Sequence, residues 1–237
     1  MLADTYNKAV AAEDVMAYLA AVMAHPAFTA RFSSDLVQPG LRVPLTADGD
    51  LFAEASALGR EVVWLHCYGE RFADPNAGRP KQAPRLPKDE APYIPEGGSI
   101  PGDHLPQDMD HDASKKRLRI GKGYVENVTQ AMWDYEVSGM NVLKQWFSYR
   151  RADRSRPIIG DRRPPSPLSD IQPEGWLAEY TTDLLDLLNV LGRLIKLEPA
   201  QTDLLNRICD GPLLTKQKLD DAQEAAQAED AETAGDN

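Results

Sequence analysis

The chain has little cysteine and no long hydrophobic run. Only two of its 237 residues are cysteines, Cys67 and Cys209, which argues against a disulfide framework and favours the reducing cytoplasm. The N-terminus lacks a basic region followed by an apolar run, so the sequence indicates no secretory signal peptide. The longest apolar stretch, residues 184–197, contains Asp186, Arg193 and Lys196 and is too polar to cross a bilayer.

The common catalytic and cofactor motifs are also missing. We find no glycine-rich phosphate loop ending in Lys-Ser/Thr, no serine in a nucleophile elbow and no HExxH zinc motif. A glycine-rich cofactor turn after a hydrophobic strand is absent, as is the Asn/Asp-Pro-Pro-aromatic motif with which DNA amino-methyltransferases grip their target amine. We therefore expect no catalytic residues, no bound metal and no cofactor in this chain alone.

Acidic residues outnumber basic ones, 37 to 26, and the two kinds of charge are unevenly distributed along the chain. The formal net charge is −11, which at first argues against nucleic-acid binding. Residues 219–237 hold seven acids and no base, which leaves a net charge of −4 for residues 1–218. A local basic patch can still contact phosphates, because net charge mainly governs solubility and nonspecific association.

The order of patterns predicts an α+β fold. Apolar periodicity predicts an N-terminal helical pair, with one helix opening at Glu13–Asp14 and ending before Pro26 and the other spanning residues 50–68. Gly59 in the second helix suggests close packing against the first. Alternating residues predict a small antiparallel sheet near residues 115–137, and a C-terminal helical bundle follows. The expected segments are 1–68 (helical), 69–113 (Pro/Gly-rich connector), 114–212 (sheet and helices of a recognition domain) and 213–237 (acidic tail, expected to be disordered).

Finer assignments follow from the same patterns. Trp133, Tyr135 and Val137 alternate with acids and predict a half-buried strand. Ser138 is the expected cap of a helix over residues 139–149. A helix over residues 176–197 is expected to end before Pro199, with a shorter helix from residue 201 to 209.

Three sets of residues are candidates for chemistry. His104, Asp108, Asp110, His111 and Asp112 have types and spacing that suit a transition metal, although we favour a solvated acidic loop. The adjacent His66 and Cys67 point to different faces of a helix and are interpreted as packing residues. Two basic segments are the candidate DNA-binding residues: Lys115, Lys116, Arg117, Arg119 and Lys122 in the first, and Lys144, Arg150, Arg151, Arg154, Arg156, Arg162 and Arg163 in the second.

A family resemblance rests on short runs in a fixed order. They are Ala17–Phe28, Arg31-Phe32, Leu36, Arg42–Leu45, Phe52, Leu58–Arg60, Leu65-His66, Val128, Trp133, Tyr135, Gly139, Val142-Leu143, Trp146 and Arg150-Arg151. Together they resemble the C-terminal specificity domain of Type ISP restriction-modification enzymes over residues 3–212.

The resemblance implies a role in DNA target recognition. In that family one polypeptide joins a nuclease, a DNA-translocating ATPase and an adenine-N6 methyltransferase to this last domain, which reads the target sequence. The expected partners are duplex DNA and the methyltransferase and nuclease–translocase portion, in cis or as a separate chain. S-adenosylmethionine is the cofactor expected for the parent methyltransferase, and this chain is expected to be an excised fragment or a split subunit. The family's DNA contacts cannot be carried over by position, because they vary with the target sequence.

Two other functions remain open at this point. The chain could be a scaffold module that docks a methyltransferase or nuclease subunit without touching DNA, and large apolar surface on the N-terminal helices would favour that. It could also be a small-molecule enzyme that uses the His104–Asp112 loop, in which case tightly bound metal is expected.

Overall fold

The protein forms two compact units in a computed structural model. The structure describes residues 2–40, 42–67, 83–152, 171, 173–221 and 224. The helical unit comprises Met1–Phe72 and Lys196–Asn237, and the sheet unit comprises Ala73–Ile195. The helical unit is therefore made of two separate stretches of the chain, with the sheet unit lying between them in the sequence, whereas the segments expected from the sequence follow one another linearly.

Four helices lie in the first part of the helical unit. They are α1 (Leu2–Tyr6), α2 (Ala12–Met23), α3 (Pro26–Arg31) and α4 (Gly49–His66). Helix α4 begins where the carboxylate of Asp48 accepts the backbone N–H groups of Asp50 and Leu51 at 2.8 and 3.1 Å. Such a cap satisfies donors that the first helical turn leaves without partners.

Helices α2 and α4 pack closely at Gly59. A Cβ placed on Gly59 would lie 1.7 Å from the backbone oxygen of Ala17, so only glycine lets the two backbones approach this far. The predicted helical pair and the predicted role of Gly59 are both confirmed. Around this contact the apolar faces of the helices form one core with the end of the C-terminal helix. Its buried members include Tyr6, Tyr18, Val22, Phe28, Phe52, Ala55, Leu204, Leu205 and Ile208.

A three-stranded antiparallel sheet organises the sheet unit. Its strands are β1 (Met109–Asp112), β2 (Arg117–Ile120) and β3 (Gly123–Val125), with β2 in the centre. The registers pair Asp110 with Arg119 and Arg119 with Tyr124. Since side chains alternate along a strand, Leu118 and Ile120 point into the core, where both are fully buried.

The remaining elements of the sheet unit complete that core. They are α5 (Gln130–Asp134), a two-stranded hairpin of β4 (Glu136–Val137) and β5 (Met140–Asn141), α6 (Val142–Ser148) and the start of α7 (Ala178–Asp210). The core includes Leu86, Leu118, Ile120, Val125, Val128, Met132, Leu143, Phe147, Trp176, Leu184, Leu188 and Leu191. The α+β class with a small antiparallel sheet is therefore confirmed. No helix among the described residues is long and apolar enough to cross a membrane.

Several finer predictions are wrong. Trp133 belongs to helix α5, which starts where the hydroxyl of Thr129 accepts the Met132 N–H, so the alternation from 133 to 137 did not reflect a single strand. The connector expected over residues 69–113 contains strand β1. The cap of α6 is Asn141, whose side chain accepts the Lys144 N–H at 2.9 Å, because Ser138 lies in the preceding turn.

Helix α7 runs through Pro199 instead of stopping before it. Proline removes one backbone donor and commonly ends a helix. Here, apolar side chains are buried on both sides of it, Leu191 and Leu194 before and Leu204 and Leu205 after. Tertiary burial of this kind outweighs local propensity.

Candidate nucleic-acid interface

The outer face of the three-stranded sheet carries the first basic segment. Arg117 and Arg119 alternate with the buried Leu118 and Ile120 on β2, so both guanidinium groups point away from the core.

The other bases of the first segment lie in the turns on either side of β2. Lys122 lies in the turn between β2 and β3 and is exposed. Lys115 and Lys116 lie in the turn before β2, where the Asp112 carboxylate accepts the backbone N–H groups of Ser114 and Lys115 at 3.1 and 3.3 Å.

Arg117 is held in place by two neighbours. Its Nε donates to Oε1 of Glu126 at 3.0 Å, and its guanidinium carbon lies 4.0 Å from the centroid of the Tyr124 ring. The hydrogen bond with Glu126 raises the pKa of Arg117. Both partners of the ion pair are partly shielded from solvent, so this guanidinium is oriented and already neutralised.

The other bases of this face are held loosely. Arg119 lies 3.6 Å from Asp110, and Lys115 lies 3.6 Å from Asp112. Such exposed ion pairs contribute little free energy and are screened by salt. Lys122 forms no ion pair with any described residue. These cations can therefore exchange their present partners for an external anion at small cost.

The same side chains line a shallow groove. It has a volume of about 460 Å³, and its walls come from both turns and from the outer face of β2 and β3. The hydroxyl of Ser114 donates to Asp112 at 2.6 Å and holds the pKa of that carboxyl below its ordinary value. Asp112 therefore stays ionised, and its negative charge offsets part of the positive charge of the four bases that line the groove. The lining residues are Asp112, Lys115, Arg117, Arg119, Gly121, Lys122, Gly123 and Tyr124.

Lys144, in the second basic segment, sits against an aromatic stack. Its ammonium lies 5.1 Å from the centroid of Trp133, and the ring of His111 stacks on Trp133 with centroids 5.8 Å apart. His111 also bonds the backbone oxygen of Val128 through Nε2 at 2.8 Å. His111 belongs to β1, Trp133 to α5 and Lys144 to α6, so the stack connects these three elements. Lys144 itself is exposed and follows the hairpin of β4 and β5.

Arg150 is packed against aromatic rings. Its guanidinium carbon lies 4.1 Å from the centroid of Trp146 and 5.1 Å from that of Tyr180. Its Nη1 donates to the backbone oxygen of Trp146 at 3.0 Å, and the Nε atoms of Arg150 and Arg151 are buried. Both side chains are half-buried and contribute to packing as much as to surface charge. Arg154, Arg156, Arg162 and Arg163 lie outside the described residues.

The side chains of the candidate metal loop contact different partners in the structure. His104 forms a pair with the neighbouring Asp103 at 2.7 Å, Asp110 faces Arg119, and His111 is engaged with Trp133. Within residues 83–152 and the other described ranges, no three His, Cys, Asp or Glu side chains form a group that could hold a metal ion. His66 ends helix α4 and Cys67 follows it, both exposed.

A comparison with protein families identifies the fold. Residues 1–187 match the model of the Type ISP C-terminal specificity domain. The chain belongs to this family. The resemblance suggested by the sequence motifs is therefore confirmed. In this specificity domain, the arginines of the first basic segment lie on the outer face of the three-stranded sheet.

Among solved structures, the specificity domain is similar to part of a nuclease-deletion mutant of the Type ISP restriction-modification enzyme LlaGI in complex with a DNA substrate mimic. The identity is 18%, the TM-score is 0.47, and the match covers 84% of this chain and 14% of that chain. The specificity domain thus spans about one seventh of the length of the matched chain. No curated protein matches it.

Sequence patterns did not identify three of the groups that shape this face. Tyr124 and Glu126 fix Arg117, and Trp133 supports Lys144. The alternation of residues 117–126 places Arg117 and Glu126 on polar positions, but the strand register that brings them together is a tertiary property. Trp133 gave a clear signal as an aromatic residue, yet the predicted strand placed it on the wrong element.

Proposed function

We propose that this specificity domain binds duplex DNA with the outer face of its three-stranded sheet. The observation that carries the proposal is the groove on that face, in which exposed and loosely paired cations line one side of a rigid sheet. Phosphate contacts from such residues give affinity and register, and contacts to base edges in the major groove give sequence discrimination. Membership in the specificity-domain family supports the same role.

The residues divide into two groups in this mechanism. Four bases of the first segment neutralise phosphates, because their ion pairs with described residues are either absent or long and exposed. They are Lys115, Lys116, Arg119 and Lys122. Arg117 is held by Glu126 and Tyr124, so its planar guanidinium is oriented to donate in a fixed direction. Lys144 adds a further phosphate contact beside the sheet.

The catalytic steps belong to the parent enzyme in this proposal. The specificity domain holds the target in register, and an adenine-N6 methyltransferase flips the target base out of the helix. We assign S-adenosylmethionine to that methyltransferase and DNA cleavage to a nuclease–translocase portion, in cis or on a separate chain. We expect all of these parts to act in the cytoplasm.

The scaffold function receives less support from the helical unit. The apolar faces of α2 and α4 are buried against each other and against the end of α7. The large apolar side chains that remain exposed on the described part of this unit are few and scattered, and scattered apolar residues are normal on protein surfaces. They are Met16, Leu36, Val37 and Leu213.

The test is a salt series of fluorescence-anisotropy titrations with a random-sequence 25-bp duplex. Each phosphate neutralised contributes roughly 0.9 to the slope of log affinity against log salt. The double variant Arg119→Ala, Lys122→Ala should therefore bind more weakly, with a slope shallower by roughly 2.

The matched control is Lys8→Ala, Arg60→Ala. It removes the same charge from the helical unit, where Lys8 pairs with Asp50 and Arg60 with Asp14. Equal slopes for the two double variants would contradict the proposed face. Absence of binding by the wild-type chain at low salt would contradict DNA binding itself.

A further inference from the structure

The hairpin of β4 and β5 is short and stands out from the sheet unit. Ser138 and Gly139 form its two-residue turn, with φ angles of 53° and 75°, the left-handed geometry of tight hairpins. All five residues from Glu136 to Met140 are exposed. A Cβ built on Gly139 would meet no atom of the described residues within 4 Å, so the tip of the turn projects away from the part of the unit that the structure describes.

The base of the hairpin is firmly anchored. Asn141 donates from Nδ2 to the backbone oxygen of Trp133 at 2.6 Å and accepts the Lys144 N–H at 2.9 Å. The N–H of Val142 donates to the backbone oxygen of Tyr135 at 3.0 Å. One asparagine therefore joins α5, the hairpin and α6, which gives an exposed two-stranded element a fixed direction.

Two large apolar side chains lie together at the exposed end. Val137 and Met140 are cross-strand partners, so their side chains share one face, and they are 45% and 57% exposed. A hairpin with two residues in each strand gains little stability of its own. The described residues of the unit leave these two side chains largely uncovered, whereas contact with a ligand would cover them.

The dimensions and chemistry of the hairpin fit the major groove of duplex DNA. That groove admits a two-stranded ribbon and is about 8.5 Å deep, and two strand residues plus a turn extend roughly 10 Å. Apolar side chains contact the thymine methyl group, and a glutamate accepts from the cytosine amine. Val137, Met140 and Glu136 provide these groups, and the exposed Lys144 at the base is positioned for a phosphate.

We propose that the β4–β5 hairpin is a base-reading element that enters the major groove, with Val137 and Met140 contacting thymine methyl groups. The inference rests on the proposed DNA binding and adds a specificity-determining site outside both basic segments. Loss of the hairpin contacts should change which sequences are preferred and leave phosphate-driven affinity intact.

The test begins with selection from a random 30-bp duplex pool by the full chain. The wild type should enrich duplexes with thymine at one or more fixed positions. Replacing those thymines with deoxyuridine, which lacks only the methyl group, should weaken wild-type binding about threefold to fourfold for each buried methyl. The double variant Val137→Ser, Met140→Ser should lose both the enrichment and the effect of deoxyuridine, while Met140→Leu should keep them.

The control makes the same kind of change at exposed apolar residues of the helical unit, Met16→Ser and Val37→Ser, and should enrich the wild-type sequences. Identical selected sequences and deoxyuridine effects in the hairpin variant would overturn the inference. It is also overturned if the wild type binds the pool but enriches nothing, an outcome in which the proposed function survives. If random duplex is not bound at low salt, both proposals fail together.

Discussion

Arg117 and Glu126 form an ion pair on the outer face of the sheet, with the Arg117 guanidinium stacked over Tyr124. The pair joins β2 to the residue that follows β3, so it fixes the direction of the guanidinium and cancels its charge. Glu126 therefore limits how much of the positive charge in the first basic segment is available to an anion.

This relationship predicts that Glu126→Gln strengthens DNA binding. The amide can still accept a hydrogen bond from Arg117 but carries no charge, so Arg117 becomes available to neutralise a phosphate. We expect tighter binding at low salt and a slope of log affinity against log salt that is steeper by roughly 0.9, measured by fluorescence anisotropy.

Glu54→Gln is the control for this change, because Glu54 forms a two-bonded ion pair with Arg207 in the helical unit, at 2.6 and 2.7 Å. It alters the net charge by the same amount without touching the sheet. A gain in affinity of equal size for both variants would assign the effect to net charge alone.

Arg150 is expected to act mainly through packing. Its guanidinium lies over Trp146 and near Tyr180, and a cation that is partly shielded over aromatic rings contributes on the order of 1 kcal/mol. Arg150→Lys keeps the charge but loses the planar stack. We expect a decrease of about 1 kcal/mol in the free energy of unfolding, measured with urea, and an unchanged salt dependence of DNA binding. Arg150→Met removes the charge as well as the stack, and it should also leave the salt dependence of DNA binding unchanged. A salt slope shallower by roughly 0.9 in Arg150→Met would instead show that Arg150 contacts a phosphate.

The sequence predicted the elements whose signals repeat over many residues. The apolar stripes of α2 and α4 and the glycine between them were sufficient for the helical pair, and the alternation at residues 117–120 was sufficient for β2. Residues 133–137 show where local patterns fail. A five-residue helix, one linking residue and a two-residue strand produce the same alternation as a single strand, and the Thr129 cap and the Ser138–Gly139 turn decide between them.

The candidate site was predictable in composition but not in arrangement. Five bases in eight residues marked the segment, yet the roles of its members depend on their partners. Arg117 differs from Arg119 because the register brings Glu126 and Tyr124 to one and only Asp110 to the other. Pro199 illustrates the same limit for the fold, since burial on both sides of it is visible only in the folded chain.

Gly59→Ala should strongly destabilise the helical unit. The added methyl would occupy the space of the Ala17 backbone oxygen, 1.7 Å away, and a backbone group cannot rotate aside as a side chain can. Overpacking of this kind costs about 1 to 3 kcal/mol and occasionally more, so we expect a loss near 3 kcal/mol in urea unfolding of the helical unit. Ala57→Ser, at an exposed position of the same helix, should change the free energy of unfolding by less than about 0.5 kcal/mol.

His25 should make the stability of the helical unit depend on pH. Its side chain is buried, only 5% exposed, and burial lowers its pKa below the ordinary value of 6.5, opposed in part by the backbone of Val22. In the unfolded chain the imidazole returns to its ordinary pKa, so below about pH 6.5 the unfolded state binds more protons than the folded state. The free energy of unfolding is then complete above this pH and declines as the pH falls, by up to about 1.4 kcal/mol per pH unit.

The measurement is urea unfolding at pH 7.5 and pH 5.0, and the decisive quantity is the difference between the two free energies. His25→Gln cannot take up the proton, so that difference should shrink even if the variant is less stable at both pH values. Phe28→Leu is the matched control, since Phe28 is equally buried one turn later. It should lower stability by the same amount at both pH values and keep the wild-type difference. A difference that is the same in His25→Gln as in wild type would assign the pH dependence to other groups.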